Sequence, residues 1–302
     1  MFVIAGVDGR ERSRDVIVLA RRVAAMLEAQ LLAMYVFPIG ELAGYLQGGS
    51  GPEVRRLLAE AEDVAHARVR ELASEMEVDE VRLRTASSAA AGLHAAAVEE
   101  DTQLIVLGSS ERAGLERVFP GPTATRLLSG SPVAVAIAPV GYADRQPDEG
   151  AVGCGYDGSP AAREALKWAA DLARRGSRPL RVLAVQRQLA FGYVGVTGTF
   201  GAKSANDEWR ASLAADLAQA IAALPIESVE SELLEGDPAK TLAESSAGLA
   251  LLVLGSRGYG PVRSVLLGSV SADVVRTAAC PVLVVPSGVE PITQDAASGA
   301  PC

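Results

Sequence analysis

At 302 residues the chain is long for one domain and comfortable for two, each able to bury its own core. No uninterrupted apolar run approaches the roughly twenty residues a membrane helix needs, and a formal charge of −9 argues against nucleic-acid binding, which needs clustered cations. Cys154, Cys280 and Cys302 are dispersed without metal spacing and read as free thiols, either small buried hydrophobes or tail residues.

The first residues carry neither a basic region nor a cleavage-site pattern, so Phe2 to Val7 reads as a first strand, and cytoplasmic residence is the default expectation. From Ser13 onward Val16, Leu19, Ala20, Val23 and Leu27 recur at helical spacing. Leu31 to Phe37 is the next strand, ending at Pro38, and a glycine-rich loop from Ile39 to Gly51 leads into a long helix, Pro52 to Met76. Strand Glu80 to Thr85, helix Ala89 to Glu99, a strand ending at Leu107, a helix near Thr123 to Leu128 and a strand from Val133 to Ala138 follow.

The order then starts again. Gly6-Val7-Asp8-Gly9 is echoed by Gly155-Tyr156-Asp157-Gly158, 149 residues on; Leu104 to Ser109 is echoed by Leu251 to Ser256, 147 residues on; Pro132 and Pro281 are again 149 apart. Three matches in one order at nearly constant offset mark a tandem duplication of a whole domain. In the second copy the strands are Ala151 to Tyr156, Leu180 to Val185, Ser228 to Leu234, Leu249 to Leu254 and Val282 to Val285, with helices at Pro160 to Arg174 and Asn206 to Leu224. Such alternation predicts an α/β fold with parallel strands and helices on both faces. Residues 1–140 form the first domain, 141–150 a polar linker, 151–286 the second domain and 287–302 an unstructured tail.

One stretch stands out chemically. The apolar run Leu249 to Leu254 leads into Gly255-Ser256-Arg257-Gly258 and, ten residues after Gly258, Gly268-Ser269-Val270, where apolar residues resume helical spacing and Ser269 is a candidate N-cap. A strand, a glycine-rich loop and a helix start turn backbone N–H groups and the positive end of a helix toward one point, which suits a phosphate. No lysine lies in the loop, so it is not a Walker loop. The only histidines, His66 and His94, fall on predicted helices, and no nucleophile elbow, carboxylate pair or metal cluster has convincing spacing, so no catalytic residue is assigned.

The pattern Gly255-x2-Gly258-x9-Gly268-Ser269, the aspartate closing a strand at Asp157, and the ending Cys280-Pro281-Val282-Leu283-Val284-Val285 together resemble the universal stress protein family in its tandem two-domain form. The resemblance spans nearly the whole chain. It implies two Rossmann-like domains, each an open five-stranded parallel sheet of order 3-2-1-4-5, and an ATP site at the topological switch point of the second. On that resemblance Asp157 faces adenine or ribose, Val185 offers backbone groups to the adenine edge, Gly255 and Gly258 let the backbone approach the phosphates, and Gly268, Ser269 and Val270 present N–H groups to them. Arg257 and Arg263 stand between phosphate contact and solvated surface, and Asp157 also suits a turn. ATP, with or without Mg²⁺, is the implied ligand.

The first copy departs from the pattern. Glu111 stands where Gly258 does, and Gly121-Pro122-Thr123 where Gly268-Ser269-Val270 does. Glu111 brings a negative charge toward a polyphosphate and Pro122 lacks an N–H, so the first site is expected to be degenerate for ATP although Asp8 and Val36 remain. A stress-response ATP-binding protein, whose occupancy alters conformation or the binding of an unidentified protein partner, is the leading expectation; a nucleotide-independent interaction module and a slow ATPase are the alternatives. Neither nucleic acid nor membrane is an expected partner. The family's habit of pairing domains through the last strand suggests an intramolecular pseudo-dimer through Val133 to Ala138 and Val282 to Val285, with homodimerisation open.

Overall fold

The computed structural model describes residues 1–40, 51–78, 80–109, 120–145, 150–187, 198–226, 228–256 and 267–291. The chain divides into two compact units, the first built on Met1–Pro147 and the second on Asp148–Glu290.

The first unit runs β1 (Phe2–Gly6), α1 (Ser13–Leu27), β2 (Gln30–Pro38), α2 (Pro52–Glu75), β3 (Glu80–Ala86), α3 (Ala89–Glu99), β4 (Thr102–Gly108), α4 (Pro122–Leu128) and β5 (Ala134–Ala138). Its five strands are parallel in the order β3-β2-β1-β4-β5. Steps from β1 to β2 to β3 run one way across the sheet, and those from β3 to β4 to β5 run back. With right-handed crossovers this puts α1 and α2 on one face and α3 and α4 on the other. β4 is covered on both sides, which is why Leu104 to Leu107 is a continuous apolar run and not an alternating one.

The second unit repeats the plan with β6 (Ala151–Tyr156), α5 (Pro160–Arg175), β7 (Leu180–Gln186), α6 (Gly198–Ala222), β8 (Val229–Glu235), α7 (Pro238–Ser245), β9 (Leu249–Gly255), α8 (Ser269–Thr277) and β10 (Val282–Val285). The order is β8-β7-β6-β9-β10, again parallel throughout. Helix starts are set locally: Ser159 accepts from the Ala162 amide at α5 and Asp237 from the Lys240 amide at α7, each followed by a proline in the first turn, where its missing N–H costs nothing. Among the described residues no helix is long and apolar enough to cross a membrane.

Two expectations need revision. α6 begins at Gly198, eight residues before the expected Asn206; the two glycines of that extension, Gly198 and Gly201, do not prevent the long helix from starting upstream. The chain after β10 is not loose at once: Glu164 accepts the Gly288 amide at 3.0 Å, the indole of Trp168 donates to the Val289 carbonyl at 2.9 Å, and Lys167 pairs with Glu290 at 2.6 Å. Residues 292–302 lie outside the described residues. The first unit holds its own exit similarly, with the carboxylate of Asp15 accepting from the amides of Gly141 and Ala143 at 3.0 and 2.7 Å. Asp15 and Glu164 are equivalent positions of the duplicated frame, 149 residues apart. Cys154, inside β6, is wholly buried, and burial pushes its thiol far above the ordinary range; Cys280 is buried just before β10.

Candidate functional site

In the second unit the chain leaves β6 toward β7 on one side, whereas β9 leads to β10 on the other. The strand ends therefore part at β6 and β9, and a crevice opens beyond them. It holds a cavity of about 490 Å³. Gly155, Leu183, Val185 and Leu254 form its floor, Pro238 and Leu242 of α7 one wall, and Gly268, Ser269, Val270 and Ser271 its far end. Asp157 stands at the mouth. Six of the nine residues singled out in the sequence, Asp157, Val185, Gly255, Gly268, Ser269 and Val270, thus line one cavity; Arg257, Gly258 and Arg263 lie outside the described residues.

The floor is apolar because strand residues two apart share a face, and Gly155 leaves room on that face for Leu242 and Leu254: a Cβ there would stand 2.5 Å from Leu254 Cδ2. Gly255 has a different cause from the one expected. A Cβ at Gly255 would stand 2.7 Å from the backbone carbon and oxygen of Ala161, so the missing side chain is needed for α5 to pack on the end of β9. Asp157 accepts the Ser159 amide through Oδ1 at 3.0 Å, which shapes the turn into α5 while the carboxylate stays exposed.

The far end also differs in detail from the expectation. Gly268, not Ser269, is the N-cap of α8, and no side chain caps it. The Gly268 amide donates to the Ser256 carbonyl at 2.6 Å, so it is engaged in closing the loop and is not a donor held out to a ligand. Ser269, Val270 and Ser271 are the first three helical residues, whose amides have no partner within the helix. Ser271, which pattern reading passed over, donates its hydroxyl to the Gly255 carbonyl at 2.7 Å. The geometry gathers the positive end of a helix, the first three amides of α8 and an apolar floor in one crevice, which suits an anionic ligand with an apolar part.

On the opposite face of β6, Tyr156 was also missed. Its hydroxyl donates to Asp216 of α6 at 2.6 Å, and Asp216 pairs with Arg163 of α5. Burial first, then the Asp216 carboxylate, holds the Tyr156 hydroxyl well above its usual range, and the bond from Tyr156 holds Asp216 below the usual carboxylate range, helped by Arg163. The three residues lie on separate elements, so no local pattern announces them.

The equivalent end of the first unit is built otherwise. Asp8 accepts from the Arg10 amide and the Ser13 hydroxyl at 3.0 and 2.8 Å. Val36 is buried, where its counterpart Val185 is half-buried in the cavity floor. The Ser109 carbonyl, counterpart of Ser256, accepts the guanidinium of Arg12 at 3.4 Å. Pro122 is the first residue of α4, and Ala124 stands where Ser271 does. Glu111 lies outside the described residues. His94 is exposed on α3, and His66 is half-buried on α2, edge-on to Tyr35 with ring centroids 5.7 Å apart. Among the described residues no group of three His, Cys, Asp or Glu side chains is disposed to hold a metal ion.

Duplicated, doubly wound parallel sheets with helices on both faces define the class: tandem Rossmann-like α/β proteins. Residues 2–139 and 150–286 both match the universal stress protein family, and the chain belongs to that family. Universal stress proteins of Mycobacterium bovis and Mycobacterium tuberculosis are each 31% identical to it over 239 residues, covering 76% of this chain and 80% of theirs. Among solved structures, a universal stress protein from Archaeoglobus fulgidus superposes with a TM-score of 0.58 at 18% identity, covering 95% of this chain and 96% of its own. A functionally unknown protein of Pseudomonas aeruginosa gives 0.62 at 15%, covering 95% and 92%. At such identities these likenesses speak to the fold alone.

Proposed function

We propose that the second unit binds an adenine nucleotide, ATP foremost, and that occupancy alters its conformation or its binding of a partner protein in a cytoplasmic stress response. The observation that carries this reading is the convergence of Asp157, Val185 and the first turn of α8 on one cavity of about 490 Å³, within the common size range of small-ligand sites. The apolar side chains of Leu183, Val185, Leu242 and Pro238 give a purine ring a surface to lie against. Asp157 accepts hydrogen bonds from a base or ribose, and the amides of Ser269, Val270 and Ser271 donate to phosphate oxygens. Mg²⁺, where it accompanies the nucleotide, is held by phosphate oxygens and water, the usual habit of this ion. Binding energy shifts a population only to the extent that ATP prefers one state, so the partner-binding surface must differ between the two.

The first unit is read as nucleotide-free. Two features support this: Val36 is packed under α3 instead of facing an open slot, and Pro122 lacks the amide that Ser269 supplies. Mass spectrometry of nucleotide released from the purified protein, followed by calorimetric titration with ATP, tests the proposal. One site per chain is expected. No released nucleotide and no heat at millimolar ATP would sink it in favour of a nucleotide-independent interaction module, and two equivalent sites would refute the asymmetry.

A further inference from the structure

We infer that Ser271 is a positioning residue for the phosphates, a role that rests on the nucleotide reading above and that the glycine pattern does not contain. Its hydroxyl is buried and donates to the Gly255 carbonyl at 2.7 Å. Gly255 is itself a fixed point, the last residue of β9, pressed against the backbone of Ala161 with no space for a side chain. The bond therefore hitches the first turn of α8 to a place where β9 and α5 already meet. That turn carries the amides of Ser269, Val270 and Ser271, and its orientation decides whether they converge on one phosphate oxygen shell or splay apart. The turn is held at its start as well, where the Gly268 amide meets the Ser256 carbonyl at 2.6 Å. A backbone bond of that kind is open to any residue, whereas the second tether needs a hydroxyl.

The internal duplication supplies the control. Ala124 occupies the same place in the first unit, buried in α4, and α4 forms without the hydroxyl. The unit that lacks the first amide, at Pro122, thus also lacks the tether that would aim the others. The same comparison indicates that Ser271→Ala folds, because alanine already fits this position of the frame.

The test is titration of wild type, Ser271→Ala and Ser271→Thr with adenosine, AMP, ADP and ATP, alongside thermal melts without ligand. Loss of one aimed hydrogen-bonding turn predicts ATP binding about tenfold weaker in Ser271→Ala. The loss should grow with each added phosphate and be absent for adenosine, and Ser271→Thr, which keeps the hydroxyl, should restore ATP affinity to within about twofold. An equal loss for adenosine and ATP, no loss for ATP, or a threonine variant as weak as alanine overturns the inference while leaving the nucleotide reading intact. Wild-type protein that binds none of the four overturns both.

Discussion

Gly92 of α3 lies directly against the side chain of Val36 on β2: a Cβ at Gly92 would stand 2.4 Å from Val36 Cγ1 and 2.8 Å from Cγ2. In the second unit the equivalent residues are Thr241 and Val185, and there the valine borders the cavity. Gly92→Ala is expected to destabilise the first unit by about 1–3 kcal/mol through overpacking, although alanine is the better helix former. Calorimetric unfolding should show a lowered transition for that unit, with ATP affinity unchanged. A stabilised protein would mean that α3 can move away from β2 without cost.

Gly255→Ala meets a harder obstacle, because the atoms in its way are the backbone carbon and oxygen of Ala161 and not the end of a flexible side chain. The expected cost is at the upper end of the overpacking range, about 3 kcal/mol or more. Denaturant titration with and without ATP checks it: both intrinsic stability and the stabilisation added by ATP should fall, since β9, α5 and the α8 tether share this point.

Ser269→Pro copies Pro122 into the second unit. Proline is at home in the first position of a helix, so α8 should form as before, but one of the three amides facing the crevice is removed. ATP binding should weaken about tenfold, with adenosine binding and the circular dichroism spectrum unchanged. ATP binding at wild-type strength would show that the phosphates do not use the start of α8.

Tyr156→Phe removes the hydroxyl that donates to Asp216 and should cost about 1–2 kcal/mol at neutral pH, a bond to a charged acceptor being worth more than a neutral one. The pH dependence has two edges. Asp216 has a lowered folded pKa, so its contribution is present above the usual carboxylate range, about pH 4, and is lost as pH falls through the lowered value. Tyr156 has a raised folded pKa, so its contribution is complete below about pH 10 and is lost as pH rises through the raised value. The stability difference between wild type and Tyr156→Phe, measured by urea unfolding across pH, should be flat between the two edges and shrink beyond each.

By itself the sequence determined the architecture. Apolar runs such as Leu104 to Leu107 and Leu249 to Leu254 are continuous because both faces of a central strand are covered, and the offset of 147 to 149 residues between matching motifs declares two copies of one domain. Strand ends and helix starts follow from those local signals, so Asp157 at a strand end and Gly268, Ser269 and Val270 at a helix start are legible in the sequence, whereas the sheet order that makes them neighbours and the place of Val185 among them follow only from the family resemblance. What each of them does there was decided by tertiary contact. That Gly268 and not Ser269 caps α8, that the glycine at 255 answers to Ala161, and that Ser271 reaches back sixteen residues to Gly255 depend on distances between elements, which no local pattern encodes. The same holds for Tyr156, Arg163 and Asp216, sixty residues apart at the extremes and joined only because β6, α5 and α6 pack together. Gly92 and Thr241 can be read as a difference between the copies, but whether a helix settles on a valine or leaves a slot above it is a matter of packing, settled only when the chain has folded.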